Sequence, residues 1–157
     1  QVGESKIESA LELLEEIGPD EPVVIWAEFR SEIDRLRHAI GKGCEVLDGR
    51  TSGEAASIVG RFQSGTIPRL ICPPQAPGHG ITLTRACYAI YFGLSFSREL
   101  FEQSRARLDR SGQTRPVTNY ILCADNTVDR VVWKTIESKG KVSEAVFKAI
   151  ADKVMAD

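Results

Sequence analysis

An α/β fold with a mostly parallel central sheet is predicted by two features of the 157-residue sequence. Short continuous apolar runs rich in β-branched residues, of which Val23-Val24-Ile25-Trp26-Ala27 is the clearest, have the pattern of strands buried on both faces. Between them lie amphipathic stretches of helical length, so strand and helix alternate as they do when helices cover both faces of a parallel sheet. Apolar residues make up 42% and charged residues 27% of the chain, ordinary proportions for a globular protein. One domain of this length buries roughly 68 to 70% of its unfolded surface. No internal repeat, low-complexity tract or long linker divides it, so residues 1–157 are expected to form a single domain.

Taken in order, Ser5 and Glu8 have capping-box spacing ahead of Ile7, Ala10, Leu11, Leu14 and Ile17, which recur at helical period until Gly18-Pro19 stops them. The strand at Pro22 to Ala27 follows. Ser31 is placed to cap a helix whose apolar positions are Ile33, Leu36 and Ile40. A strand at Cys44 to Leu47 ends in the turn Asp48-Gly49, and a further helix carries Ile58, Val59 and Phe62. Strands are expected at Arg69 to Cys72, Ala86 to Phe92 and Val117 to Cys123, then helices from about Thr127 to Ser138 and Val142 to Met155. Residues 141–157 are expected to form a helix that packs back on the domain.

The net charge of −2 argues against a strongly basic protein that wraps nucleic acid, although a local basic face remains compatible with it. Cys44, Cys72, Cys87 and Cys123 form no CxxC pair and sit in strand-like runs, so buried reduced thiols are expected rather than a zinc site. His38 and His79 are too isolated to suggest a metal site. With no signal peptide or apolar run of membrane length, a cytoplasmic protein is expected.

The stretch with the most chemistry is Glu102 to Pro116, EQSRARLDRSGQTRP. Read as a helix, it places Gln103, Arg107 and Arg110 on one face at i, i+4 and i+7, with Phe101 and Leu108 turned toward a core and Gly112-Gln113 closing the helix. By itself this is more often a solvated basic stripe. The pattern Gln103, Arg107, Arg110, Gly112, Gln113 resembles motif VI of superfamily-two helicases, and its Gly-Gln ending resembles the Swi/Snf-type DNA translocases. The loop Pro73 to Ala86, PPQAPGHGITLTRA, resembles motif V of the same family, and Phe29-Arg30-Ser31 after the first strand resembles motif IV.

The resemblance covers roughly Ser5 to Ser138. It implies a RecA-like three-layer α/β/α domain, the second of two lobes in a motor that hydrolyses ATP and moves along DNA. In that reading Arg107 and Arg110 are arginine fingers, while Gln103, Gly80 and Gln113 contact or frame the nucleotide. Phe29, Arg30, Ser31, Thr82, Thr84 and Arg85 would face the nucleic-acid backbone, with Gly78 and Gly80 allowing close approach to phosphate. Partners implied are an N-terminal RecA-like lobe of the same parent chain and duplex DNA. ATP and magnesium would be held mainly by that other lobe.

The absences agree with this division. A phosphate-binding P-loop needs G-x-x-x-x-G-K-[ST], and neither Gly41-Lys42 nor Gly140-Lys141 fits. Asp48 is better explained as a turn residue than as a magnesium ligand. For Phe29 and Ser31, packing and helix capping stand beside nucleic-acid contact as alternatives. Several positions depart from the family: Asp109 in place of His, Thr82 in place of Asn, Gly93-Leu94-Ser95-Phe96 in place of an acidic and Trp-Asn-Pro stretch, and Ala55 where Arg is common. They suggest a divergent bacterial or phage branch. The competing function is a non-catalytic nucleic-acid-binding or docking module with the same fold.

Overall fold

A computed structural model describes residues 2–75, 80–94, 97–124, 130–137 and 143–155. The expectations for Gly78, His79, Ser95, Phe96, 127–129, Ser138, Gly140-Lys141 and Val142 fall outside those residues. The elements are α1 (Val2–Ile17), β1 (Val23–Trp26), α2 (Arg30–Ile40), β2 (Cys44–Val46), a 3₁₀ turn (Gly49–Glu54), α3 (Ala55–Gln63), β3 (Arg69–Cys72), β4 (Tyr88–Tyr91), α4 (Arg98–Arg105), β5 (Val117–Ala124), β6 (Arg130–Glu137) and α5 (Glu144–Met155). They form one six-stranded sheet in the order β2-β3-β1-β4-β5-β6. The first five strands of that order run parallel, and β6 is antiparallel to β5.

Alternation along β1 shows why helices are needed on both faces. Val24 and Trp26 enter a core that contains Ile58 and Phe62 of α3, Phe101 of α4 and Ile150 of α5. Val23 and Ile25 enter the opposite core, shared with Ala10, Leu13 and Leu14 of α1 and Ile33 and Leu36 of α2. Successive strand side chains point to opposite faces, so a continuous apolar strand stays soluble only between two helical layers. The aromatic column Tyr91, Phe101, Phe147 ties β4, α4 and α5 together, with ring centroids 4.9 Å and 5.6 Å apart.

Four local expectations are corrected. The stretch expected as a helix from Thr127 to Ser138 contains strand β6: Val131, Val132, Thr135 and Ile136 are β-branched, and β5 offers an open edge that β6 pairs over eight residues, from Val117↔Glu137 to Ala124↔Arg130. Helix α1 starts at Val2, so Ser5 lies inside it and is no N-cap. The N-cap of α2 is Phe29, whose N–H is met by Glu32 Oε1 at 3.4 Å; Ser31 lies in the first turn. Helix α4 stops at Arg105, so Arg107 and Arg110 stand on the turns that follow and Gly112 closes no helix.

The buried Arg69 at the start of β3 joins the amino end of the sheet to α1. Its guanidinium donates to the carbonyls of Leu14, Gly18 and Glu21. A cation at a helix C-terminus meets both orphan carbonyls and the negative end of the dipole. Cys44, Cys72 and Cys87 are free and buried, and burial pushes the Cys44 thiol up to about 12. No described helix is long and apolar enough to cross a membrane.

Candidate active site

The crossover from β3 to β4 passes over β1, which puts the segment 80–86 beside the turns that follow α4. Two tethers hold these pieces together. The Leu83 N–H donates to the Arg107 carbonyl at 2.9 Å, and Arg110 Nη1 donates to the carbonyls of Gly80 and Ile81 at 3.2 and 3.4 Å. Gly80 takes a φ of +70°, which a residue with a Cβ rarely adopts. Leu108 is buried between the two arginines and anchors the turn in the core, as the sequence pattern predicts.

The charges on this turn are unequal in their surroundings. The buried Arg105 pairs inward with Asp109 at 2.9 Å and lies 3.5 Å from Glu102. Arg115 pairs with Glu21 at 2.7 Å. Among the described residues Arg107 and Arg110 meet no carboxylate, and the half-buried Arg107 guanidinium has no hydrogen-bond acceptor either. Burial first, and then the positive charge of Arg110, lower the Arg107 pKa from its ordinary value. An unneutralised, partly desolvated cation beside a second cation is a costly arrangement that a bound polyanion relieves.

The other sequence candidates lie in several places. Thr82 and Thr84 are half-buried in the same loop, and the Thr84 hydroxyl accepts from Gln63 Nε2 of α3 at 3.3 Å. Gln103 is exposed on α4, where its amide donates to Glu99 at 3.3 Å. Gln113 points inward, with its amide Nε2 on the carbonyls of Thr84, Ala86 and Leu108.

Phe29, Arg30 and Ser31 form a separate exposed group at the carboxyl end of β1, where Phe29 is 57% exposed. Arg30 lines a cavity of about 330 Å³ with Glu28, Ile33, Asp48, Gly49, Pro73 and Gln75. Arg85 follows Thr84 in the loop, but its side chain turns toward the segment that precedes β3. Its guanidinium lies against Gly65, within 2.6 Å of where a Cβ there would be.

Sequence reasoning treated Asp48 as a turn former and missed its partners. Its Oδ1 accepts from the Arg50 N–H at 2.9 Å, its Oδ2 from Arg50 Nη2 at 2.7 Å, and Arg50 Nη2 reaches Asp34 on α2 at 2.8 Å. Burial opposes ionisation of Asp48, but its bonds to Arg50 outweigh that effect and hold its pKa below the ordinary value. Acidic Asp34 and Asp48 at i and i+14 around an Arg at i+16 were the available signal. Among the described residues no group of three or more His, Cys, Asp or Glu side chains is placed to hold a metal ion.

Comparison with known proteins identifies the family. The model for the helicase conserved C-terminal domain matches residues 5–112. Protein CHROMATIN REMODELING 19 of Arabidopsis thaliana is 30% identical over 132 residues, covering 81% of this chain and 17% of that protein. An uncharacterized ATP-dependent helicase of Mycoplasma pneumoniae is 30% identical over 156 residues, covering 96% of this chain and 15% of its own length. The chain therefore spans about a sixth of these relatives. The crystal structure of the C-terminal part of the Fun30 ATPase domain superposes with a TM-score of 0.67 at 26% identity, over 96% of this chain and 54% of that one. With relatives in both a plant and a mycoplasma, the comparisons assign the chain to neither a phage nor a bacterial branch.

Proposed function

From the premise that the chain belongs to the helicase conserved C-terminal domain family, as a RecA-like lobe of the Swi/Snf type, we propose that it is the second lobe of an ATP-dependent DNA motor. In this reading Arg107 and Arg110 reach the nucleotide held by an N-terminal lobe of the same parent chain. The observation that carries it is the unneutralised pair itself, held by the Leu83 and Arg110 tethers while neighbouring Arg105 and Arg115 are matched by carboxylates. An evolved ion pair would have cancelled the charge that a triphosphate needs.

ATP bound with magnesium supplies the phosphoryl group that is transferred to water. Arg107 and Arg110 contribute fixed positive charge where negative charge spreads over the transferring oxygens, a contribution worth ~10³ to 10⁵ in turnover for arginine fingers. Arg110 already donates one arm to the 80–81 carbonyls, so its charge is oriented before the nucleotide arrives. Because no reorganisation is then needed at the moment of reaction, orientation favours the transition state over the ground state.

Phe29, Arg30 and Ser31 are proposed to meet the phosphate backbone of duplex DNA at the carboxyl edge of the sheet, with Thr82 extending the contact from the neighbouring loop. Phosphate contacts of this kind position a motor without reading sequence. Lobe closure around nucleotide would then shift one DNA-contacting surface against the other. The test is ATP turnover by the parent protein with and without duplex DNA, for wild type, Arg107→Ala and Arg110→Ala. The reading expects DNA-stimulated turnover that drops at least ~10³-fold in each variant while DNA affinity stays within ~3-fold. Turnover retained in both variants would end the finger assignment.

A further inference from the structure

Gln113 is where the loop and the arginine turn are joined. Its Nε2 donates to the carbonyls of Thr84 at 3.2 Å, Ala86 at 2.8 Å and Leu108 at 3.0 Å. Its Oε1 accepts from the backbone N–H groups of Thr114 and Arg115, each at 3.1 Å. A carboxamide has two N–H donors and one oxygen with two lone pairs, so every polar valence of this side chain is satisfied within the protein. Nothing is left over for a phosphate. The orientation is also the only consistent one, since a flipped amide would put its oxygen against three carbonyls.

The segment that Gln113 holds is gripped from its other side as well. Gln63 at the end of α3 accepts the Arg85 N–H at 2.9 Å and donates to the Thr84 hydroxyl at 3.3 Å. Gly112, with φ +101°, lets the chain turn beside Thr84, whose Oγ1 is 3.6 Å from where a Cβ would stand. Two carboxamides from opposite sides thus fix residues 84–86, and Gln113 carries that fix to Leu108, the residue next to Arg107. The Arg107 carbonyl closes the loop of constraints through the Leu83 N–H.

We propose that Gln113 is a positioning residue rather than a nucleotide ligand. It locks the turn bearing Arg107 and Arg110 to segment 84–86, so that movement of that loop moves both guanidinium groups as one unit. This rests on the motor reading above, and deepens it by naming the mechanical link between the loop and the arginines. A residue acting this way alters the transition state and leaves ground-state binding alone, so its loss appears in kcat and not in KM. Misplacement by about 1 Å costs on the order of 10²-fold in rate.

The experiment has two readouts. In the ligand-free chain, amide hydrogen exchange is compared between wild type and Gln113→Met, which keeps volume and removes the carboxamide. Exchange at Leu83 and Leu108 is expected to speed up at least ~10-fold while the amides of β1 and β3 keep their protection. In the parent protein with duplex DNA, kcat is expected to fall ~10 to 100-fold, with KM for ATP and DNA affinity within ~3-fold of wild type.

A raised KM at unchanged kcat would make Gln113 a direct ligand and overturn the proposal, as would unchanged exchange at Leu83. Should Gln113→Met fail to fold, Gln63→Met loosens the same segment from the helix surface. A kcat loss of ~3-fold or more at constant KM then supports the proposal, and no loss overturns it. A wild-type parent without DNA-stimulated turnover would defeat the motor reading itself. Stimulated wild type with an unaffected Gln113→Met variant defeats the positioning role alone.

Discussion

Removing the charge of Arg107 should make the protein more stable and the motor inactive. The half-buried guanidinium has no hydrogen-bond acceptor and no carboxylate among the described residues, and it stands beside the like charge of Arg110. Arg107→Met keeps most of the aliphatic stem, and with it the packing that an arginine stem contributes. An unsatisfied polar group costs about 1 to 3 kcal/mol when fully buried. No Arg107 nitrogen is both fully buried and without a partner, so the expected gain is a fraction of that, up to about 1 kcal/mol. For a domain of this size each kcal/mol shifts the melting temperature by about 2 to 4 °C.

The predicted rise is therefore up to about 4 °C, read by thermal unfolding of the chain. The same substitution in the parent protein should lower turnover ~10³-fold, equivalent to about 4 kcal/mol of transition-state stabilisation. Opposite signs in the two assays are the signature of a residue kept for activity at the expense of stability. A melting temperature lowered by more than about 2 °C would refute the reasoning, because it would mean that Arg107 has a structural partner.

Three further outcomes follow from the geometry. Arg69→Met removes the donor for the carbonyls of Leu14, Gly18 and Glu21 and should destabilise the chain by about 3 kcal/mol in urea titration, since stranded buried acceptors cost more than the lost bonds alone. The depressed pKa of Asp48 means that its contribution is fully present above the ordinary aspartate value of about 3.9 and is lost as pH falls through the lower folded value. Unfolding midpoints measured between pH 6 and pH 2 should therefore drop less steeply in Asp48→Asn. Arg30→Ala should lower the slope of log affinity for duplex DNA against log salt by about 0.9 in the parent protein, if Arg30 neutralises one phosphate.

Much of the fold was legible because each core strand announces itself locally. The run Val23 to Trp26 is apolar throughout, and only a strand between two helical layers buries every one of those side chains. Strand β6 was not legible in the same way. Arg130 to Glu137 mixes charged and apolar residues at spacings that fit an exposed helix, and what decides the matter is the free edge of β5, a partner set by tertiary structure. The end of α4 is a second case. Helical spacing through Arg110 is present in the sequence, but the chain leaves the helix after Arg105 because Arg107 and Arg110 are held by residues 80–83, some 24 to 30 positions earlier.

The candidate site divides along the same line. Arg107 and Arg110 stood out only through the resemblance of the order Gln103, Arg107, Arg110, Gly112, Gln113 to a helicase motif, since the arginines alone read more readily as a solvated basic stripe. The direction in which Gln113 turns could not be read, because its side chain has the same hydrogen-bonding capacity toward a ligand as toward three carbonyls. The exposure of Phe29 was equally open. An aromatic residue after a strand is ordinarily packed, and here the N-cap position directs it outward.

The most direct measurement is the structure of the parent protein closed on duplex DNA with ADP and aluminium fluoride, a mimic of the transferring phosphoryl group. Arg107 and Arg110 are both expected to place guanidinium nitrogens within about 3 Å of the fluoride ligands, as charge-assisted bonds require. Closed lobes with both guanidinium groups facing DNA, or turned away from the nucleotide, would contradict that expectation.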